Sequence, residues 1–300
     1  MDETPGADPG LDLAVLRALS TPRGRTGAAA VDALRDRISE HLARHDGYVA
    51  FSGGKDSLVV LDLVRSVEPD VPVVFFDSGL EYPETYRYLD DVAAAWDLDL
   101  HVIASDPPLL DALVASGQWN HGAAALDPDA VTVDLHRLLI GDPAARAHAR
   151  FGPGELWGVR ADESRGRRML YTRRADRSTT RALVDENRRR QGHVVSAAHG
   201  TRNDITGGGV IERKDGTIVF GPIWDWSTEQ VWAHIAREHL PVNPVYDVLA
   251  RIGVPEPARR VSHLVDGEHL HRGRLTWLRR GWPDLFEQLA DALPRTRHLM

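Results

Sequence analysis

The hexapeptide Ser52-Gly53-Gly54-Lys55-Asp56-Ser57 follows the apolar run Tyr48-Val49-Ala50-Phe51 and precedes a helical pattern. Adjacent glycines let a backbone approach an anion with no Cβ in the way. A strand that turns into a helix at such a point aims backbone N–H groups, and the positive end of the helix dipole, at that anion. Lys55 adds a positive charge, and Ser52 and Ser57 add hydroxyls. Asp56 suits a magnesium ion bridging phosphate oxygens, since Mg2+ commonly takes one or two carboxylates. The six residues therefore predict a seat for a phosphate or pyrophosphate group. It is not a Walker loop, because Asp56 follows Lys55 and the first glycine is missing. The competing expectation is a ligand-free glycine turn. Composition argues against it: of 36 Lys+Arg, only Lys55 and Lys214 are lysine. A compact ammonium suits a crowded phosphate site better than a planar guanidinium.

The elements that must position this loop follow from periodicity. Tyr48–Phe51, Val71–Phe76, Leu98–Ala104 and Glu155–Val159 read as short apolar strands, and Ser57–Val67, Pro83–Trp96 and Leu109–Ser116 as helices between them. Such alternation predicts an α/β fold, a doubly wound parallel sheet covered on both faces. Ligands of such sheets sit at the carboxyl ends of the strands, where loop 52–57, Asp77 and Arg160 all fall. N-terminal helices are expected at Leu11–Leu19 and Val31–Leu42. The Asp215-Gly216 pair predicts a hairpin between Val210–Arg213 and Thr217–Phe220. Ser227-Thr228-Glu229-Gln230 is a capping box opening a helix that runs through His239. Gly273–Leu293 reads as a docked helical cap. The expected division is 1–45 for an N-terminal tail and helices, 46–240 for the sheet domain with an Arg-rich insertion at 161–209, and 241–300 for a C-terminal helical extension.

Bulk composition narrows the function classes. With 42% hydrophobic and 27% charged residues, the chain has ample material for a core. The net charge of −8 argues against generic nucleic-acid binding. No apolar run approaches the roughly 18 residues of a membrane span. An acidic start without a signal-peptide core leads us to expect a cytoplasmic protein. The sequence holds no cysteine, so none of its residues can supply a disulfide, a thiolate nucleophile or a thiolate ligand to zinc or an iron–sulfur cluster.

Four segments in order resemble the phosphoadenosine-phosphosulfate reductase family, within the PP-loop ATP pyrophosphatase group of adenine nucleotide α-hydrolases. Phe51–Ser57 resembles the pyrophosphate loop. Phe76-Asp77-Ser78-Gly79 with Glu81-Tyr82-Pro83-Glu84-Thr85 resembles the F-x-D-T-G and P-E-T motif. Gly158-Val159-Arg160-Ala161-Asp162-Glu163-Ser164-Arg165-Gly166-Arg167 resembles G-x-R-x-x-E-S-x-x-R, and Pro222-Ile223-Trp224-Asp225-Trp226 resembles P-I-x-D-W. The resemblance covers roughly residues 45–245. It implies an adenine nucleotide with its phosphates on Ser52, Gly53, Gly54, Lys55, Asp56 and Ser57. Asp77 and Gly79 lie near the nucleotide by the same resemblance, with Asp77 a possible second magnesium or ribose ligand. Arg160 and Arg167 then reach the anionic end of the substrate, with Arg165 and Glu163 beside them. Guanidinium forks pair well with phosphate or sulfate. For Glu163 two roles stay open, orienting Arg160 or standing as a solvated carboxylate. Thiol-using reductases of the family share a C-terminal Glu-Cys-Gly element, which this cysteine-free sequence lacks.

Three functions follow as expectations. The first is cleavage of ATP at the α-phosphate, with Lys55, Asp56, Arg160 and Arg167 as catalytic residues, Mg2+ on Asp56 and Asp77, and an unknown acceptor. The second keeps a sulfonucleotide, phosphoadenosine or adenosine phosphosulfate, and hands its sulfur to an external thiol. The third is a nucleotide-binding component of a nucleic-acid, defence or regulatory system. It draws on the stretch 160–190, which holds eleven arginines against five acids. The alternative for that stretch is a solvated insertion over the site, favoured by the negative net charge. His193, His199, His263, His269 and His271 are expected to be ordinary surface or core histidines, and Trp224, Trp226, Trp232, Trp277 and Trp282 to pack rather than stack on bases.

Overall fold

A computed structural model describes residues 28–120, 129–172, 204–261 and 274–298. The helix expected at Leu11–Leu19, the arginines from Arg173 to Arg190 and the five histidines just named lie outside them. The described chain runs α1 (Ala28–Arg44), β1 (Gly47–Ala50), α2 (Lys55–Arg65), β2 (Val73–Asp77), α3 (Pro83–Trp96), β3 (Leu100–Ala104), α4 (Leu109–Ala115), α5 (Asp142–Phe151), β4 (Gly154–Leu156), α6 (Arg165–Thr172), β5 (Asp204–Gly207), β6 (Val210–Glu212), β7 (Ile218–Phe220), α7 (Thr228–Glu238), α8 (Val245–Arg251), α9 (Arg274–Gly281) and α10 (Pro283–Ala292). Among these residues no helix is long and apolar enough to cross a membrane.

The strands form one sheet in the order β3-β2-β1-β4-β7-β6-β5. The five from β3 to β7 are parallel, with Val49 opposite Val73 and Leu156 on the other side of Val49. β6 and β5 extend that sheet antiparallel. The expected doubly wound sheet is therefore present, with an antiparallel edge added. Alternate residues serve the two faces, as the two-residue strand period requires. Val49, Phe51, Val73 and Phe75 meet α1, α2, α3 and α7 on one side. Tyr48, Ala50, Val74 and Phe76 meet Ala147 and Phe151 of α5 on the other.

Local chemistry explains the boundaries. Pro83 opens α3 at the position where a missing N–H costs nothing, and Asp97 closes it in the left-handed region at φ 51°. Ser227 accepts from Gln230 N at 3.3 Å while Gln230 Oε1 accepts from Ser227 N at 2.7 Å, so the capping box forms as expected. Gly208 and Gly209, at φ 64° and 91°, make the two-residue turn from β5 to β6. A Cβ on Gly209 would stand 2.5 Å from Gly221 O. β5 itself lay hidden in the Arg-rich stretch, where alternation gives no signal. A second apolar core joins α8, α9 and α10 to Leu80, Tyr82, Leu109, Trp119 and Leu138. The C-terminal helices thus pack onto α4 and the loop that follows β2.

Candidate functional site

Loop 52–57 lies at the carboxyl end of β1, and the chain stays in the sheet as far as Phe51, whose N–H bonds Val74 O at 2.9 Å. Gly53 then turns at φ +72°, a conformation that favours glycine. Ser57 knits the turn from inside. Its hydroxyl donates to Gly54 O at 3.0 Å, and the Ser52 N–H points to it at 3.2 Å. Ser57 is buried and bonded within the loop, so the phosphate contact expected of it is replaced by a structural one. Gly54 caps α2 without a side chain. The N–H groups of Gly54, Asp56 and Ser57 have no acceptor among the described residues. These are the orphan donors of a helix start, the ordinary material of an anion site.

Asp56 and Arg160 form the keystone. Arg160 is 1% exposed, and its Nε donates to Asp56 Oδ1 at 2.6 Å. Nη1 donates to Trp226 O at 2.9 Å, and Nη2 to Thr228 Oγ1 at 3.2 Å. Lys55 Nζ meets the other Asp56 oxygen at 2.8 Å. Arg160 therefore ties α7 to the start of α2 instead of extending toward a substrate, which corrects the expectation drawn from its motif. A second tie lies deeper, where the fully buried His234 of α7 sits 2.8 Å from Asp62 of α2. Glu163 Oε2 accepts from the Arg160 backbone N–H at 2.9 Å, capping the short turn that follows, and pairs with Arg167. Arg165 is exposed at the start of α6. Lys55 uses one of its three protons on Asp56, which leaves two for another acceptor.

Although Gly158 opens one of the motifs, two approaches to the loop have no role assigned from the sequence. Gly158 passes so close beneath it that a Cβ there would stand 2.6 Å from Ser57 N. From the other side comes the segment before and within α8. Asn243, fully buried, donates to Gly53 O at 3.3 Å and to Thr85 Oγ1 at 3.2 Å. Tyr246 accepts the Lys55 N–H at 3.0 Å. The only sequence cue was Asn243-Pro244, which reads equally well as a plain helix breaker. Burial first, and then the charge of Asp56, push the Tyr246 phenol far above its ordinary pKa, so it stays protonated.

Asp77 closes the turn after β2. Its Oδ1 accepts from Gly79 N and from Tyr86 OH, both at 2.8 Å. Gly79 stands at φ +74° on the surface. Of the two carboxylates expected to meet magnesium, Asp56 pairs with a cation at each oxygen and Asp77 uses Oδ1 in its own turn. No group of three or more His, Cys, Asp or Glu gathers among the described residues, so any magnesium held here would draw most of its ligands from the phosphates and water. Trp226 and Trp282 are buried in the two cores, as packing residues should be.

This loop, its arginine and the strand order come together within one stretch of chain. The phosphoadenosine phosphosulfate reductase domain model matches residues 47–253. The chain belongs to this family. Relatives within it include a phosphoadenosine 5'-phosphosulfate reductase of Aliivibrio salmonicida (strain LFI1238), 25% identical over 71% of this chain and 68% of that protein. An adenosine 5'-phosphosulfate reductase of Pseudomonas aeruginosa (strain LESB58) is 25% identical over 77% of this chain and 72% of its own length. Among solved structures, the phosphoadenylyl-sulfate reductase of Candida auris aligns at a TM-score of 0.42 and 20% identity, over 74% of this chain and 92% of that one. The family match spans every element that builds the loop, from β1 to α8.

Proposed function

We propose that this family member binds the phosphate chain of an adenine nucleotide on the loop from Ser52 to Ser57 and cleaves ATP by adenylyl transfer. An acceptor oxygen attacks the α-phosphorus, the bridging bond to the β-phosphate breaks, and pyrophosphate leaves with the bonding pair. Four groups support this: the orphan amides of Gly54, Asp56 and Ser57, and the Lys55 ammonium with its two uncommitted protons. They would take up the charge that develops on the departing pyrophosphate, the kind of stabilisation that fixed donors provide well. Arg165 and Arg167, at the start of α6, are the remaining candidates for contact with the anionic end of the substrate. The observation that carries the reading is an amide-rich loop within the stretch the family model matches, in a chain with no cysteine to attack sulfur.

A second reading keeps a sulfonucleotide as substrate and passes its sulfur to an external thiol. The names of the relatives, phosphoadenosine and adenosine phosphosulfate reductases, favour it. Calorimetric titration with ATP and with both sulfonucleotides separates the two. Pyrophosphate release from ATP is then measured for the native chain and for Lys55→Ala. Tighter binding of ATP, with release abolished in the variant, is the expected result. Equal turnover by the two proteins would falsify the assignment.

A further inference from the structure

Tyr246 sits where the C-terminal helices meet the loop, and the function just proposed gives it no role. The side chain is 6% exposed and packed in the second core. Its oxygen stands 3.0 Å from the Lys55 N and 3.6 Å from where a Gly54 Cβ would be. A phenol oxygen that accepts one N–H still carries its own proton. That proton has no acceptor among the described residues. A buried donor without a partner is costly, and native structures rarely leave one. Gly54 puts no side chain of its own beneath the hydroxyl; the other atoms nearest that point are Ser52 Oγ and Val261 Cγ2, each 3.5 Å from where a Gly54 Cβ would be. The backbone here is held from both sides, by Asn243 on Gly53 O and by Gly158 beneath Ser57 N, so the hydroxyl keeps a fixed relation to the orphan amides.

We propose that the Tyr246 hydroxyl is a ligand-binding group of the anion seat, donating its proton to a phosphate oxygen bound against Gly53, Gly54 and Lys55. This rests on the loop being a phosphate seat. The N–H of Lys55, which would otherwise point at the anion, is relayed through the phenol: the amide donates to the oxygen and the oxygen donates onward. The relay reaches further from the backbone than an amide does, and it makes the C-terminal layer part of the site. Because the phenol stays protonated far above neutral pH, the donor is present throughout the working range.

Tyr246→Phe keeps the packed ring and removes only the hydroxyl. Affinities for inorganic pyrophosphate, ATP and adenosine are measured by calorimetry on the native chain, Tyr246→Phe and Lys55→Ala. A donor to a charged oxygen is worth roughly ten- to a hundredfold in affinity. Pyrophosphate and ATP should weaken by that factor in Tyr246→Phe, while adenosine, which has no phosphate, binds as before. Unchanged or tighter pyrophosphate binding overturns the proposal, because the phenol is then only a plug on the Lys55 amide. Failure of the native chain to bind either phosphate compound would instead remove the seat itself. Placing 3,5-difluorotyrosine at 246 covers the case in which Tyr246→Phe does not fold. That residue is a stronger donor of nearly the same shape, so pyrophosphate should bind more tightly, and weaker binding counts against the proposal.

Discussion

Replacing Arg160 by methionine separates the two roles open to a motif arginine, touching substrate or holding the site together. The guanidinium is buried and donates to a carboxylate, a carbonyl and a hydroxyl. Methionine fills much of the volume and satisfies none of them. Breaking a buried ion pair by removing one partner costs about 3–5 kcal/mol. Asp56 retains Lys55 and some access to water, with its side chain 15% exposed, so the lower end applies, about 3 kcal/mol. Unfolding entropy near 2 cal/mol/K per residue over 300 residues turns that into a fall of about 5 °C in melting temperature. Differential scanning calorimetry with and without ATP measures both consequences. Stability and nucleotide affinity should fall together, because the start of α2 loses its anchor to α7. Adding Asp56→Leu should recover little of the lost stability, since it strips Lys55, only 11% exposed, of its carboxylate and leaves Trp226 O and Thr228 Oγ1 still without their donor. Affinity stays low. A variant that melts like the native chain while losing ATP binding would refute the reasoning and return Arg160 to direct contact with the ligand.

Two further substitutions test the loop and one tests pH. Gly158→Ala places a methyl 2.6 Å from Ser57 N and should cost about 1–3 kcal/mol, read from the denaturant midpoint. Gly54→Ala meets its nearest atoms at 3.5 Å, in a backbone conformation alanine adopts freely, so stability should stay within about 0.5 kcal/mol. Its methyl stands on the anion's approach, so pyrophosphate affinity should drop; loss of stability with binding intact would contradict this geometry. His41 is buried against Phe220 and His45, and burial pulls its pKa from 6.5 to about 4. The unfolded chain therefore binds the extra proton first. Stability is whole above pH 6.5 and declines as the pH falls toward 4, by about 3 kcal/mol at pH 4. Melts at pH 7, 5 and 4 should show His41→Leu free of that part of the decline, and parallel curves for the two proteins would dismiss it.

Much of this architecture was legible residue by residue. The strand–loop–helix at 48–57, the helix at Pro83–Trp96, the capping box at Ser227–Gln230 and the hairpin about Asp215-Gly216 depend on neighbours a few positions apart. Period, proline geometry and turn chemistry act at that range. The assignment of roles within the site does not. Asp56 meets Arg160 across 104 positions, and Lys55 meets Tyr246 across 191. A side chain's type states which bonds it is able to make, and only the packing of distant elements selects among them. Serine at 57 offered a hydroxyl to any acceptor, and the curl of its own loop turned it inward. Arginine at 160 suited an oxyanion, and burial against α7 gave it Asp56. Tyr246 carries no local mark and Asn243 only that of a helix breaker, because their importance lies in the surface that the second core brings down onto the two glycines.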